Sequence, residues 1–95
     1  MSFEIVVSDQ VRDFLRVLDT KTKRICKNNL LKLVRPYPGE GTGDKEKLII
    51  GGEIMYRLHI SRTYTAFYIS DDKNNIVRVI ELLTIEKAHK KYKYR

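Results

Sequence analysis

Arg57 and His59 have the residue types and the spacing to do chemistry together. They lie in Met55-Tyr56-Arg57-Leu58-His59-Ile60, which reads as a β-strand, and strand side chains alternate faces with a period of two. Both therefore project from one face, where a guanidinium binds an anion and an imidazole that titrates near neutrality moves a proton. A second group of candidates closes the sequence: Lys87, His89, Lys90 and Tyr92 fall in a short basic and aromatic run ending Tyr92-Lys93-Tyr94-Arg95. Either its lysines pair with phosphates while Tyr92 or Tyr94 stacks on a base, or it is a solvated basic tail.

These residues need a scaffold. Phe3 to Val7 is a β-branched run suited to a strand. Ser8 or Asp9 then caps a helix whose inner face is Val11, Phe14, Leu15 and Leu18, at i, i+3, i+4 and i+7. Asp19 and Thr20 start a second helix with Thr22, Ile25, Cys26, Leu30, Leu33 and Val34 inward; Lys21, Lys23, Arg24, Lys27 and Lys32 take the remaining positions. Pro36 ends it by denying a donor. Tyr37 to Asp44 is a loop by composition, and its three glycines lack the Gly-Lys-Ser/Thr ending of a phosphate loop.

Lys45 to Ile50 is compatible with extended backbone, and Gly51-Gly52 breaks the chain after it. From Ile54 to Ile60, the residues Ile54, Tyr56, Leu58 and Ile60 share a core face, with Met55, Arg57 and His59 opposite. Thr63 to Ile69 is apolar on both faces and reads as a central strand. A turn at Asp71 to Asn75 leads to Ile76 to Leu83, a third antiparallel strand carrying Arg78. The expected fold is α+β: an N-terminal strand, a two-helix hairpin, an antiparallel three-stranded meander covered on one face by the helices, and a short basic C-terminal segment. The face left partly open is the one to which Arg57 and His59 point.

Ninety-five residues, 42% of them hydrophobic, are enough for one small folded domain over 1–95 and too few for two. A net charge of +7 favours an anionic partner, either nucleic acid, a ribonucleoprotein or an acidic protein; many basic domains are merely soluble. Cys26 is the sole cysteine, so no intramolecular disulfide forms, and no Cys/His spacing suits zinc; neither metal nor cofactor is expected. No run is long enough to span a membrane, and an acid stands where a signal peptide would place basic residues. A cytoplasmic protein is expected.

The order of elements, the strand Met55-Tyr56-Arg57-Leu58-His59-Ile60, the strand Tyr64-Thr65-Ala66-Phe67-Tyr68 and the Lys/His/Tyr ending together resemble the RelE toxins of the RelE/ParE toxin–antitoxin superfamily. The resemblance covers essentially the whole domain through short motifs. It implies a toxin with a cognate antitoxin that is disordered alone and ordered on binding. Toxins of the RelE branch cleave mRNA in the ribosomal A site, which makes ribosome and mRNA the implied partners. The ParE branch acts on DNA gyrase and lacks that cleavage.

RNA cleavage without a metal needs a base for the 2′-OH proton, cations for the charge on a phosphorane-like transition state, and an acid for the departing 5′-oxygen. The resemblance casts Arg57 as phosphate clamp, His59 as general base or acid and Tyr92 as stacking or proton-transfer residue. Arg62, Arg78, Lys87, His89 and Lys90 are then substrate-binding cations, with His89 the second histidine candidate. One position departs from the pattern: active members often carry arginine after the tyrosine of the second strand, and this chain has Thr65. Arg62, Arg78 or Lys90 would have to supply that charge by another route. The alternative is a ParE-like gyrase inhibitor or a toxin-fold binding protein without cleavage.

Overall fold

The computed structural model describes residues 3–36 and 45–92. Ser8 turns the chain from β1 (Glu4–Val7) into α1 (Asp9–Arg16). Its oxygen accepts from the Val11 N–H at 3.3 Å, satisfying one of the amides that a helix start leaves unpaired. The same hydroxyl donates to the Ile80 carbonyl at 2.7 Å and so ties the helix start to β5 (Ile76–Thr84). Asp19 caps α2 (Thr20–Leu30), accepting from the Thr22 N–H at 3.2 Å, and the hydrogen bonds from Thr22 hold its carboxyl below the usual carboxylate range. A 3-10 turn, Leu31–Val34, precedes Pro36, whose carbonyl accepts from the buried Tyr68 hydroxyl at 2.5 Å. The expected loop over 37–44 and the residue Tyr94 lie outside the described residues.

β2 (Lys45–Ile50), β3 (Glu53–Ile60), β4 (Tyr64–Asp71) and β5 pair antiparallel in chain order. β1 adds to the outer edge of β5 in parallel, giving the order β1-β5-β4-β3-β2. The expected three-stranded meander is therefore the centre of a five-stranded sheet. Each meander strand pairs with its sequence neighbour, which local pattern records; β1 pairs across two helices and three strands, which it does not. Gly51 and Gly52 do more than break the chain. Their φ angles of 60° and 84° are both positive, as the two-residue turn of a twisted hairpin requires, and they join β2 to β3.

Gln10 completes the sheet beyond β1. The β1 ladder ends where Val7 pairs with Val79, and farther along β5 the Gln10 side chain takes over: its Nε2 donates to the Leu82 carbonyl at 2.9 Å, and its Oε1 accepts from the Leu82 N–H at 2.8 Å. Both bonds are partly buried. Gln10→Ala leaves two backbone groups of β5 without these partners and is expected to lower stability by about 1–3 kcal/mol, measured by urea denaturation. Gln10→Glu keeps an acceptor for the amide but sets a carboxylate against the carbonyl, so it is expected to be destabilising as well.

The two faces of the sheet are covered differently. Against α1 and α2 pack Leu58 and Ile60 of β3, Ala66 and Tyr68 of β4, and Val77, Val79 and Leu82 of β5, with Val11, Leu15, Cys26, Leu30 and Leu33 from the helical side. Ile25, expected inward, is 38% exposed on the flank of α2, whereas Cys26 is fully buried. On the opposite face the C-terminal run forms α3 (Ile85–Tyr92), whose Ala88 is buried with Leu48 and Phe67. That face is thus partly closed by the segment anticipated as a short basic ending.

An irregularity between β4 and β5 shapes this second face. Phe67 stands opposite Glu81 but Tyr68 stands opposite Val79, so Ile80 is the extra residue of a β-bulge. Ile80 packs in the Phe67 cluster and Glu81 reaches α3, which places two successive residues on one side of the sheet.

Candidate functional site

The face carrying α3 also carries Arg57 and His59. Across the sheet, Glu46 of β2, Arg57 of β3, Phe67 of β4 and Glu81 of β5 stand in one row, and His59, Thr65 and Leu83 form the next. Residues directly opposite one another in a sheet share a face. Three strands thus bring two carboxylates and a guanidinium into line around one buried ring.

Arg57 is held by Glu46. Its Nε donates to Glu46 Oε2 at 2.7 Å, and its Nη2 lies 2.5 Å from the same oxygen. His59 Nε2 lies 3.5 Å from that oxygen, so one carboxylate links the guanidinium and the imidazole. The Arg57 side chain is only 12% exposed, and its neighbour Glu46 is far more open. Burial pushes the Glu46 carboxyl up, but the Arg57 hydrogen bond and charge, followed by those of His59, outweigh it and hold the group below its ordinary value.

A folded-state value below the unfolded one contributes stability that is present above the ordinary carboxylate pKa of 4.5 and lost as the pH falls through the lowered folded value. Glu46→Gln is therefore expected to lose less stability than the parent chain between neutral pH and the range below 4.5. Urea titrations at several pH values check this; parallel acid losses in the two proteins would contradict it.

Tyr92 closes the other side. Its ring packs on Phe67 with centroids 4.3 Å apart, and its hydroxyl donates a short hydrogen bond to Glu81 Oε1. Lys91 Nζ donates to Glu81 Oε2 at 2.6 Å and lies 5.7 Å from the Tyr92 ring centroid. Burial, then the Glu81 hydrogen bond and charge, push the Tyr92 phenol well above its ordinary value. In this arrangement the group is a hydrogen-bond donor and an aromatic surface.

The structure brings Arg57, His59 and Tyr92 to one face around Phe67. Arg62 is exposed in the turn between β3 and β4. Arg78 shares the face but stands in a separate row with Val6 and Ile69, where its charge helps lower the Asp71 carboxyl after the Asn74 hydrogen bonds. Lys87, His89 and Lys90 are exposed on α3, and Lys90 Nζ lies 3.9 Å from Glu86. Among the described residues no three His, Cys, Asp or Glu side chains are grouped to hold a metal ion.

Two carboxylates not anticipated from the sequence complete the cluster. Glu46 had a usable signal: counting outward from a two-residue Gly51-Gly52 turn pairs Ile50 with Glu53 and Glu46 with Arg57. Glu81 had none, because the bulge that presents it shows no pattern in the sequence. Thr65 is fully buried opposite His59, and its hydroxyl has no hydrogen-bond partner among the described residues. The position at which the resemblance looks for an arginine is thus closed to solvent here.

No protein-family model matches the chain, and no curated protein matches it. Solved structures do. The chain is similar to one from the archaeal RelE–RelB complex of Pyrococcus horikoshii, at 23% identity and a TM-score of 0.71, covering 88% of this chain and 96% of that one. It is similar to a chain of the toxin–antitoxin complex RelBE2 from Mycobacterium tuberculosis, at 15% identity and a TM-score of 0.70, covering 88% and 99%. YafQ from E. coli gives 14% identity, a TM-score of 0.65 and coverage of 90% and 97%. The chain has the RelE-type toxin fold.

Proposed function

We propose that this protein is the toxin of a toxin–antitoxin pair and that it cleaves mRNA on the ribosome with acid–base chemistry supplied by its own side chains. The observation that carries the reading is the placement of Arg57 and His59 on one carboxylate, on the same face as Tyr92. In this mechanism Arg57 turns from Glu46 to the non-bridging oxygens of the scissile phosphate, where a two-pronged donor meets the growing negative charge. His59 takes the proton from the attacking 2′-OH or delivers one to the departing 5′-oxygen. Glu46 orients the imidazole and balances its charge when His59 is protonated. Tyr92, keeping its proton, stacks on a base or donates a hydrogen bond.

The basic residues of α3 lie around this centre and bind neighbouring phosphates in a salt-dependent way. Action on the ribosome places the protein in the cytoplasm. The similar structures solved as complexes with antitoxins support a cognate antitoxin as the partner that silences it. The test is purified protein added to ribosomes translating a defined mRNA, with the ends of the message mapped.

A second reading is favoured by Thr65. With a buried threonine where active RelE-like chains often carry arginine, the same fold would serve as a gyrase inhibitor or as a binding protein without cleavage. Inhibition of gyrase supercoiling by a protein that leaves ribosome-bound mRNA intact would establish that reading.

A further inference from the structure

Thr65 is fully buried, and its hydroxyl has no hydrogen-bond partner among the described residues. A buried hydroxyl in that condition is costly, and valine has nearly the same shape and the same preference for strands without the cost. A strand that needed only shape at this position is better served by valine. The oxygen therefore calls for a partner, and its surroundings narrow the choice. In its row of the sheet β3 places His59 directly opposite, and β5 places Leu83 on the other side. Phe67 follows two residues along β4 on the same face. Leu83 and Phe67 are apolar, so His59 is the polar neighbour in the row. Cβ atoms directly opposite in an antiparallel pair lie about 4.5–5.5 Å apart, a span that a threonine hydroxyl and the inner nitrogen of an imidazole close between them.

The two nitrogens of His59 meet different surroundings. Nε2, the outer one, lies 3.5 Å from Glu46 Oε2, and the side chain is 33% exposed. Nδ1 sits at the base of the ring, beside the strand, and a turn about the Cβ–Cγ bond presents it to β4. A neutral ring carries one N–H; a protonated ring carries two and needs an acceptor for each. We propose that Thr65 is a positioning residue for His59: when the ring takes its second proton, Nδ1–H turns to the Thr65 hydroxyl while Nε2–H stays on the Glu46 side. Thr65 thus supplies the second acceptor in a place closed to solvent. Held at both ends, the imidazolium keeps one orientation, whether it has just taken a proton from the 2′-OH or is about to deliver one to the 5′-oxygen. That consequence rests on the nuclease reading above; the hydrogen bond itself does not. The charged groups nearest the ring are Glu46 of β2 and Arg57 of β3, and in the next row Glu81 of β5 is held by Lys91 and Tyr92 of α3. Lys87, His89 and Lys90 of α3 and Arg62 of the β3–β4 turn are exposed. Thr65→Val changes none of these charges, so its effect reports the hydroxyl.

The test follows the His59 imidazole of the full chain, isotopically labelled, by NMR through a pH titration of the parent, Thr65→Val and Thr65→Ser. Losing a hydrogen bond to the charged ring is expected to lower the His59 midpoint in Thr65→Val by about half a pH unit or more. The Nδ1–H signal of the charged ring should also exchange faster with water in that variant. Thr65→Ser keeps the oxygen and is expected to titrate as the parent does. With His59 neutral, Thr65→Val should be at least as stable in urea as the parent; as the pH falls through the midpoint it should lose ground to the parent. In the ribosome assay Thr65→Val is expected to move the His59 limb of the pH–rate profile with the NMR midpoint and to lower kcat by about threefold or more at unchanged KM. An identical midpoint in Thr65→Val and the parent, an equal shift in Thr65→Ser, or a Thr65→Val chain less stable than the parent while His59 is neutral would each overturn the proposal. If Thr65→Val does not fold, Thr65→Ala set against Thr65→Ser makes the same comparison. A parent chain whose His59 responds as expected but which never cleaves counts against the nuclease reading alone.

Discussion

His59→Ala is expected to slow ribosome-dependent mRNA cleavage by about a hundredfold or more, the usual contribution of a positioned acid or base. Arg57→Ala should cost about tenfold or more through lost stabilisation of the transition state. The two should differ in character. His59→Ala removes a proton carrier and is expected to flatten the limb of the pH–rate profile that His59 controls. Arg57→Ala also leaves Glu46 as an uncompensated charge on the face that must receive a phosphate, so its loss is expected partly in substrate binding. Arg57→Lys restores charge but not the two-pronged geometry and should recover only part of the rate. Single-turnover rates with saturating ribosomes separate these effects, and full activity in both alanine variants would remove the pair from the mechanism.

Phe67→Ala is expected to lower stability by about 3–5 kcal/mol, the range for truncating a buried aromatic ring. Phe67 is fully buried on the α3 face with Leu48 and Ala88 and carries the Tyr92 ring at 4.3 Å. The loss should therefore be more than a cavity. Without that platform α3 is held chiefly by Ala88 and by the bonds of Tyr92 and Lys91 to Glu81, so amide exchange in α3 should accelerate more than exchange in α1. Tyr92→Phe is the informative companion. It keeps the ring contact, removes the hydroxyl donor to Glu81 Oε1 while Lys91 still holds Oε2, and is expected to cost about 1 kcal/mol. Urea denaturation with hydrogen exchange checks both; equal acceleration in α1 and α3 would mean that Phe67 acts only through global stability.

The parts of this molecule visible in its sequence are those set by local pattern. Alternation along Ile54 to Ile60 separates Leu58 and Ile60, which are buried against the helices, from Arg57 and His59 on the other face. Ser8 and Asp19 cap helices because their short side chains satisfy nearby amides, and the residues at helical spacing from Val11 to Leu18 do pack inward. What escaped is nonlocal. β1 lies beside β5 because the two helices carry the chain over the sheet, a crossover with no local mark. Ile25 is less buried than its spacing suggests, since the wall of α2 turns on Cys26 and Leu30.

The site was half legible for the same reason. Arg57 and His59 follow from the period of one strand, whereas Glu46 and Glu81 come to them from β2 and β5 through register and a bulge. Those carboxylates change the chemistry. Arg57 is already engaged by Glu46, and Tyr92 is a half-buried donor to Glu81. Thr65, which stands where the resemblance looks for an arginine, lies in a closed position beside His59.

The most direct test of the account is one translation reaction with mapped mRNA ends, run with the parent chain and with His59→Ala. New ends within ribosome-covered stretches of the message are expected for the parent chain, nearly absent for His59→Ala, with both proteins folded to the same thermal midpoint within a few degrees. Intact message with the parent chain, or the same ends at the same rate from both proteins, would contradict it.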